Sequence, residues 1–368
     1  MRTVVPFVEL RTQYHQFKAE IDRAIQDVLE SGVFLFGSQL EAFEKDFAAY
    51  VGALHAVAVS SGTEALRLAL LAAGVGRGDE VLTSALTAVA TVVAIEGVGA
   101  RAVLVDIDPA TYTLNVSQVE TRLTPQTKAI VPVHLYGHPT ELKPLLDIAS
   151  SRGLEIIEDA CQAHGATYYN KKVGSFGRFG CFSFYPTKNL GGYGDGGMIV
   201  TDSGDHAEHV RLLRSYGERE RFKHSLRGFN CRMDELQAAI LRVKLQHLDA
   251  LNTQRRLLAR GYDSRLKGTS VKVPVERPEN THVYCSYVIR YPSRDRLREW
   301  LVDRGIDSRV QYPWPVHLQP AYRDLGAGPG SFPAAEEAAS EILSLPIFPE
   351  LDQSRVALVC DAIRGFIL

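Results

Sequence analysis

The sequence predicts an α/β fold, with a large domain on a mixed, mostly parallel sheet and a smaller α+β C-terminal domain. Three features predict it. Residues 55–160 alternate short apolar runs with longer amphipathic ones, residues 180–201 hold two runs too close for a helical crossover, and residues 233–265 carry one long helical stripe. At 368 residues the chain exceeds one minimal domain, and an apolar content of 45% can fill two cores.

The first stretch reads HAVAVS, TEALRLALLAAG, DEVLTS, TAVATVVAIEGVG, ARAVLVDID, KAIVPVH, LKPLLDIASSRG and LEIIED. Short buried strands separated by helices make βαβ units, and such sheets present ligand groups at the carboxyl ends of their strands. CFSFYP and GMIVTD flank the glycine-rich GGYGDGG, so an antiparallel or looped pair is expected there. The segment MDELQAAILRVKLQHLDALNTQRRLLARGYDSR repeats apolar residues at helical spacing over a length that can link two domains. The boundary is placed inside it, giving a large domain over 12–250 and a small one over 251–368. Residues 1–11 are expected to pack with the small domain or a neighbouring subunit. VYCSYVIRY, RDRLREWLVDRG, the Pro-rich YPWPVHLQPAY and a final helix complete the α+β pattern.

A formal charge of −2, spread along the chain, gives no reason to expect nucleic acid or an anionic membrane as partner, so small molecules are expected. Cys161, Cys181, Cys231, Cys285 and Cys360 are odd in number and contain no C-x-x-C pair, which indicates neither a disulfide framework nor a zinc site. No metal is expected. No secretory leader and no run of roughly 20 apolar residues is read, so a cytoplasmic location is the expectation. No G-x-G-x-x-G opens a helix after the first strand, which disfavours a plain dinucleotide-binding oxidoreductase. No basic helix-turn-helix pattern precedes SSGTEAL, which disfavours a DNA-binding regulator.

The segment Glu158 to Thr201 carries the chemistry. Asp159 follows the apolar run LEII, which puts its carboxylate at a strand end, and Lys188 lies between a strand and a glycine-rich turn. A pyridoxal-5'-phosphate (PLP) enzyme needs a lysine to form a Schiff base with the cofactor aldehyde and a carboxylate to keep the pyridine nitrogen protonated; this pair could supply both. The phosphate needs hydroxyls, N–H donors and a helix N-terminus. VAVSSGTEALRLALL offers Ser61, Gly62 and Thr63 at such a corner, and Ser183 adds a hydroxyl. Each feature has a plainer reading: an exposed loop lysine, an aspartate capping a turn, an ordinary N-cap, glycines serving only a turn. Their joint order favours the functional one.

SGTEALRLALLAAGVGRGDEV, GARAVLVDIDPATY, EDACQAHGA, SFYPTKNLGGYGDGGMIVT, GFNCRMDELQAAILRVKL and LSLPIFPEL together resemble the successive motifs of the DegT/DnrJ/EryC1/StrS sugar aminotransferase family. The resemblance implies an aspartate-aminotransferase-like (fold type I) architecture working as a homodimer with shared active sites. It implies Lys188 as the Schiff-base lysine and Asp159 as partner of the pyridine nitrogen. Gln162 would pack near the ring, and Thr63 and Ser183 would bind phosphate beside the Gly62 and Glu64 backbone. Asn230 would reach the phosphate of the neighbouring subunit, and Tyr312 and His317 are candidate sugar contacts.

One departure stands out. Where the family commonly stacks an aromatic residue on the ring, this chain has Ala88, so Leu86, another loop, or Gln162 with polar contacts must hold that face. The activity implied is amino transfer from an amino acid, glutamate by resemblance, to a keto-sugar of a nucleotide-linked hexose, with C-3 favoured over C-4 from DELQAAILRVKLQHLD. The alternatives are a dehydratase of the same family, against which Lys188 speaks, and a PLP-binding regulator without turnover. His134, His138 and His164 are read as packed or hydrogen-bonding residues, and Asp106 with Asp108 as strand-end turn residues rather than an acid pair.

Overall fold

The computed structural model describes residues 4–367. Seven runs form the main sheet: β1 (His55–Val59), β2 (Glu80–Ser84), β3 (Arg101–Val105), β4 (Thr127–Val131), β5 (Glu155–Asp159), β6 (Phe179–Ser183) and β7 (Gly197–Thr201). Their order across the sheet is β1-β7-β6-β5-β4-β2-β3, and β7 runs antiparallel to both neighbours while the other pairs are parallel. The antiparallel strand is the one its short spacing from β6 predicts. All strands except β7 therefore end on the same edge, and the residues following β1, β5 and β6 are neighbours there.

Strand alternation sends successive side chains to opposite faces. Val57 and Val59 of β1 join one core with the helix Gly62–Ala72, while Ala56 and Ala58 join another with Phe43, Phe47, Phe182 and Phe184. The helix Ser38–Val51 covers that second face. Its N-cap, Gly37, has no capping side chain, and Glu235 of another helix substitutes, accepting from the N–H groups of Gly37, Gln39 and Leu40 at 2.9–3.0 Å.

The 32-residue helix Glu235–Leu266 belongs to two cores. Ala238, Leu241, Leu245 and Leu248 pack beneath the sheet; Leu258, Ala259, Tyr262 and Leu266 pack with the antiparallel pair β8 (Tyr287–Arg290) and β9 (Ile342–Leu345) and the helix Gln353–Ile367. Val5 joins this second core and bridges to Ile306. The C-terminal stretch does not all pack together, however. Val316, Tyr322, Phe332 and Ala335 enter the core on the other side of the main sheet, where both carboxylate oxygens of Asp106 accept from the N–H groups of Ala334 and Ala335 at the start of the helix Pro333–Glu341. Asp108 closes its own turn and pairs with Arg277. No helix among the described residues is long and apolar enough to cross a membrane.

Buried polar groups under the sheet edge have a measurable consequence. The Glu158 carboxylate accepts from the N–H groups of Gly174, Phe176 and Gly177 at 2.7–2.8 Å and from His134 Nε2 at 3.0 Å. Burial alone would raise Glu158, yet these donors hold it below its usual value. Burial pushes His138 down to about 4 and His164 to about 3. Both histidines stay neutral in the folded chain but charge in the unfolded one near pH 6.5. Their stabilisation is complete above that pH and is lost as pH falls toward the folded values, on the order of 3 kcal/mol for His138 alone; Glu158 adds a further loss below about 4.5. Urea midpoints measured between about pH 7 and about pH 4 are expected to fall steadily. A flat profile would contradict this account.

Candidate active site

The carboxyl edge of β1, β5 and β6 opens on a cavity of ≈ 300 Å³. On the β1 side, Ser61, Gly62 and Thr63 turn the chain into the helix Gly62–Ala72. Ser61 Oγ accepts from the N–H of Glu64 at 3.2 Å. Gly62 has to be glycine, since a Cβ there would stand 2.6 Å from Ser183 Cβ and 2.8 Å from Cys161 Sγ. That closeness brings the Ser183 end of β6 against the helix N-terminus, so hydroxyls and helix dipole converge on one corner.

Asp159, at the end of β5, is 5% exposed and lines the same cavity. Its Oδ2 accepts from Thr91 Oγ1 at 2.8 Å, and its Oδ1 from the N–H of Cys161 at 3.2 Å. Thr91 Oγ1 also lies 3.1 Å from Thr87 Oγ1. Gln162 is fixed at both ends of its amide: Oε1 accepts from the N–H of Tyr136 at 2.8 Å, and Nε2 donates to the Tyr312 hydroxyl at 3.2 Å.

Lys188 sits in the turn after β6, whose backbone closes through Lys188 N–H to Tyr185 C=O at 2.9 Å. The next residue, Asn189, is buried and donates to Asn252 Oδ1 and Val283 C=O, tying the turn to the long helix. Burial disfavours the Lys188 ammonium, but Cys285, Tyr312, Cys161 and Asp159 around it outweigh burial, so its pKa stands above the ordinary lysine value. Burial raises the Tyr312 phenol, with Lys188 opposing, and raises the Cys161 thiol still more strongly. At neutral pH the pocket thus holds an ammonium, a neutral phenol and a neutral thiol.

Most of the residues singled out from the sequence meet here: Gly62, Thr63, Asp159, Gln162, Ser183, Lys188 and Tyr312 all line the cavity. Three do not. The N–H of Glu64 is taken by Ser61, and its carboxylate pairs with Arg67 at 2.6 Å, so the structure does not bring it to the corner as a binding group. His317 is buried against Phe332 with Nε2 3.0 Å from Glu336, a packed residue away from the cavity lining. Asn230 is exposed, bridged to Ser215, and does not reach this chain's cavity. Leu86 is fully buried and lines nothing here; Ala88 and Val133 do line the cavity.

Sequence reasoning missed Thr91, Cys161, Tyr185, Thr187 and Asp195, which also contribute to the lining or hold Asp159. Thr91 could have been found, because Thr87 and Thr91 are four apart at a helix start and lie on one face. His134, His138 and His164 are each buried, and no cluster of metal-ligating side chains occurs among the described residues.

An aromatic aldehyde bearing a phosphate fits these donors. Its phosphate would have the hydroxyl-lined helix N-terminus, a protonated ring nitrogen the Asp159 carboxylate, and its aldehyde the Lys188 amine. The description DegT/DnrJ/EryC1/StrS aminotransferase family matches residues 15–364. The chain belongs to that family. Among relatives of this DegT/DnrJ/EryC1/StrS protein, the "dTDP-3-amino-3,4,6-trideoxy-alpha-D-glucose transaminase" of Streptomyces venezuelae is 46% identical over 98% of this chain and 95% of its own. The "Erythromycin biosynthesis sensory transduction protein EryC1" of Saccharopolyspora erythraea is 48% identical over 95% and 96%. The crystal structure of S. venezuelae DesV in complex with a ketimine intermediate superposes with a TM-score of 0.98 at 45% identity, covering 100% of this chain and 99% of that one. The fold is therefore the aminotransferase one the motifs imply.

Proposed function

We propose that this protein is a PLP-dependent aminotransferase that moves an amino group from an amino acid, glutamate by family resemblance, to the 3-keto carbon of a nucleotide-linked hexose. The single observation that carries the reading is that Lys188 and Asp159 line one cavity whose remaining corner is the Ser61–Thr63 helix start. The names of the S. venezuelae transaminase and of DesV support a sugar substrate and amination at C-3.

When bound, PLP supplies a carbonyl that takes up amines and a ring that withdraws electrons. The chain does the rest. Thr63, Ser183 and the start of the helix Gly62–Ala72 would hold the phosphate; Asp159, itself held by Thr91, would keep a proton on the ring nitrogen. Gln162, locked between the Tyr136 N–H and the Tyr312 hydroxyl, would help hold the ring, which Ala88 cannot do by stacking. Lys188, an ammonium in the empty pocket, would be a neutral amine once the donor has displaced it from the cofactor, and its Nζ would then take the proton from the donor α-carbon and later deliver one to the former keto carbon of the sugar.

A homodimer is part of this reading. Val33, Phe34, Leu35 and Phe36 form an exposed apolar run, each at least 37% exposed, and Arg232, two residues from Asn230, stands over the Phe36 ring at 6.0 Å. A second copy covering that run would bring Asn230 to the neighbouring phosphate corner. Mixed dimers of Lys188→Ala and Asn230→Ala chains are expected to regain activity neither parent has; no gain on mixing would remove the shared site.

The reading is tested by loading the protein with pyridoxamine phosphate and offering dTDP- and UDP-linked 3-keto and 4-keto hexoses. The visible absorbance of lysine-bound cofactor is expected to return with a 3-keto sugar. A response to 4-keto sugars alone would move the aminated carbon. Binding of cofactor with no response to any of them would leave a regulator without turnover.

A further inference from the structure

A second, smaller cavity, ≈ 60 Å³, adjoins the first and shares Gln162, Thr187, Lys188, Gln311 and Tyr312 with it. Its far wall includes Arg255, Ser286, Cys285, Ile347 and the N-terminal Phe7. Among the described residues two cations and no acid line this compartment, whereas the first holds Asp159 and Asp195.

Arg255 is the unusual member. The side chain rises from the middle of the helix Glu235–Leu266, and the residue is only 5% exposed. Nη1 donates to Tyr284 C=O at 3.2 Å and Ile347 C=O at 2.8 Å, which fixes the guanidinium, and Nε is buried without a partner. No carboxylate stands within ion-pair distance of it among the described residues, although other buried arginines such as Arg214 and Arg290 have one. Burial holds its pKa below the usual arginine value. A guanidinium taken out of water with only neutral carbonyls in contact, and the Glu350 carboxylate acting from beyond ion-pair distance, is poorly compensated, and the partner that restores the balance is an anion, best a planar one that the fork grips with two bonds.

We propose that Arg255 binds the α-carboxylate of the amino-acid donor. This rests on the transaminase reading above. In an amino acid the carboxylate and the amine sit on one carbon, so a donor whose nitrogen is delivered beside Lys188 carries its anion into the same small compartment. The phosphates of a nucleotide sugar are a whole hexose ring away from the keto carbon, which favours the donor as the ligand. Ser286 Oγ, now 3.4 Å from Gln311 Oε1, and the Tyr312 hydroxyl are further hydrogen-bonding groups on the wall.

The test separates the two half-reactions by stopped flow on the holoenzyme. With Arg255→Gln, the glutamate concentration for half-maximal rate is expected to rise about 30-fold or more at little change in limiting rate. Reaction of the pyridoxamine form with the keto-sugar should be unaffected, and Arg255→Lys should recover part of the loss. In the wild-type holoenzyme, which avoids any folding defect of a variant, acetate should compete with glutamate and not with the sugar. Unchanged glutamate dependence in Arg255→Gln, equal weakening of both half-reactions, or no competition by acetate would each overturn the assignment. A wild-type protein inert to every donor would instead defeat the transaminase reading.

Discussion

Replacing Lys188 by alanine is expected to lower turnover by at least about 10⁴-fold and to remove the visible absorbance of lysine-bound cofactor. The size follows from placement. Lys188 is shared by both cavities, and among the described residues it is the only amine lining either one. Nearby groups that could move a proton, the Tyr312 phenol and Cys161 thiol, are both raised by burial and are poor substitutes at neutral pH. Lys188→Arg keeps the charge but is expected to be equally inactive, because guanidinium does not give up its proton. The Lys188 ammonium makes no hydrogen bond or ion pair with another described residue, so urea midpoints should stay near wild type, and activity within tenfold of wild type would remove Lys188 from the mechanism.

Asp159→Asn is expected to cost about 10²–10³-fold in kcat, the range seen when one preorganised electrostatic partner is removed from an enclosed site. The two oxygens are already oriented, one by Thr91 Oγ1 and one by the Cys161 N–H, so the carboxylate has no freedom to move away from a bound ring. Thr91→Val should act in the same direction through Asp159 and by less, since one net hydrogen bond of about 1 kcal/mol is lost. Steady-state rates and cofactor retention on dialysis measure both. If Asp159→Asn keeps wild-type kcat and retains its cofactor, the ring-nitrogen role is wrong.

Much of the fold was legible because its signals are local. Apolar runs such as AVAV and EIIED bounded by turn residues mark strands, and the short distance from Ser183 to Gly197 admits no crossover helix, which explains the antiparallel β7. The packing of residues 316–342 was not legible. Their apolar positions lie in Pro-rich and short helical pieces that make no sheet of their own, and they are buried by elements more than 200 residues earlier, as the contact of Asp106 with Ala335 shows. His317 illustrates the same limit at the site. A histidine in a Pro-rich loop looks available to a ligand, yet Glu336 and Phe332 claim it once the helix Pro333–Glu341 docks.

By itself the sequence determined the strand-end placement of Asp159, the turn carrying Lys188 and the SGT helix start, because strand period, glycine spacing and capping chemistry act over a few neighbouring residues. Only the tertiary structure decided that Thr91 braces Asp159, that Gln162 is held between Tyr136 and Tyr312, and that Arg255 stands without an anion beside Lys188. Those contacts join residues 26 to 150 positions apart, or a helix face to a loop, and the helical stripe around Arg255 reads the same whether its cation is paired or bare. Distances across a folded interior depend on how whole elements pack, and no local pattern encodes them.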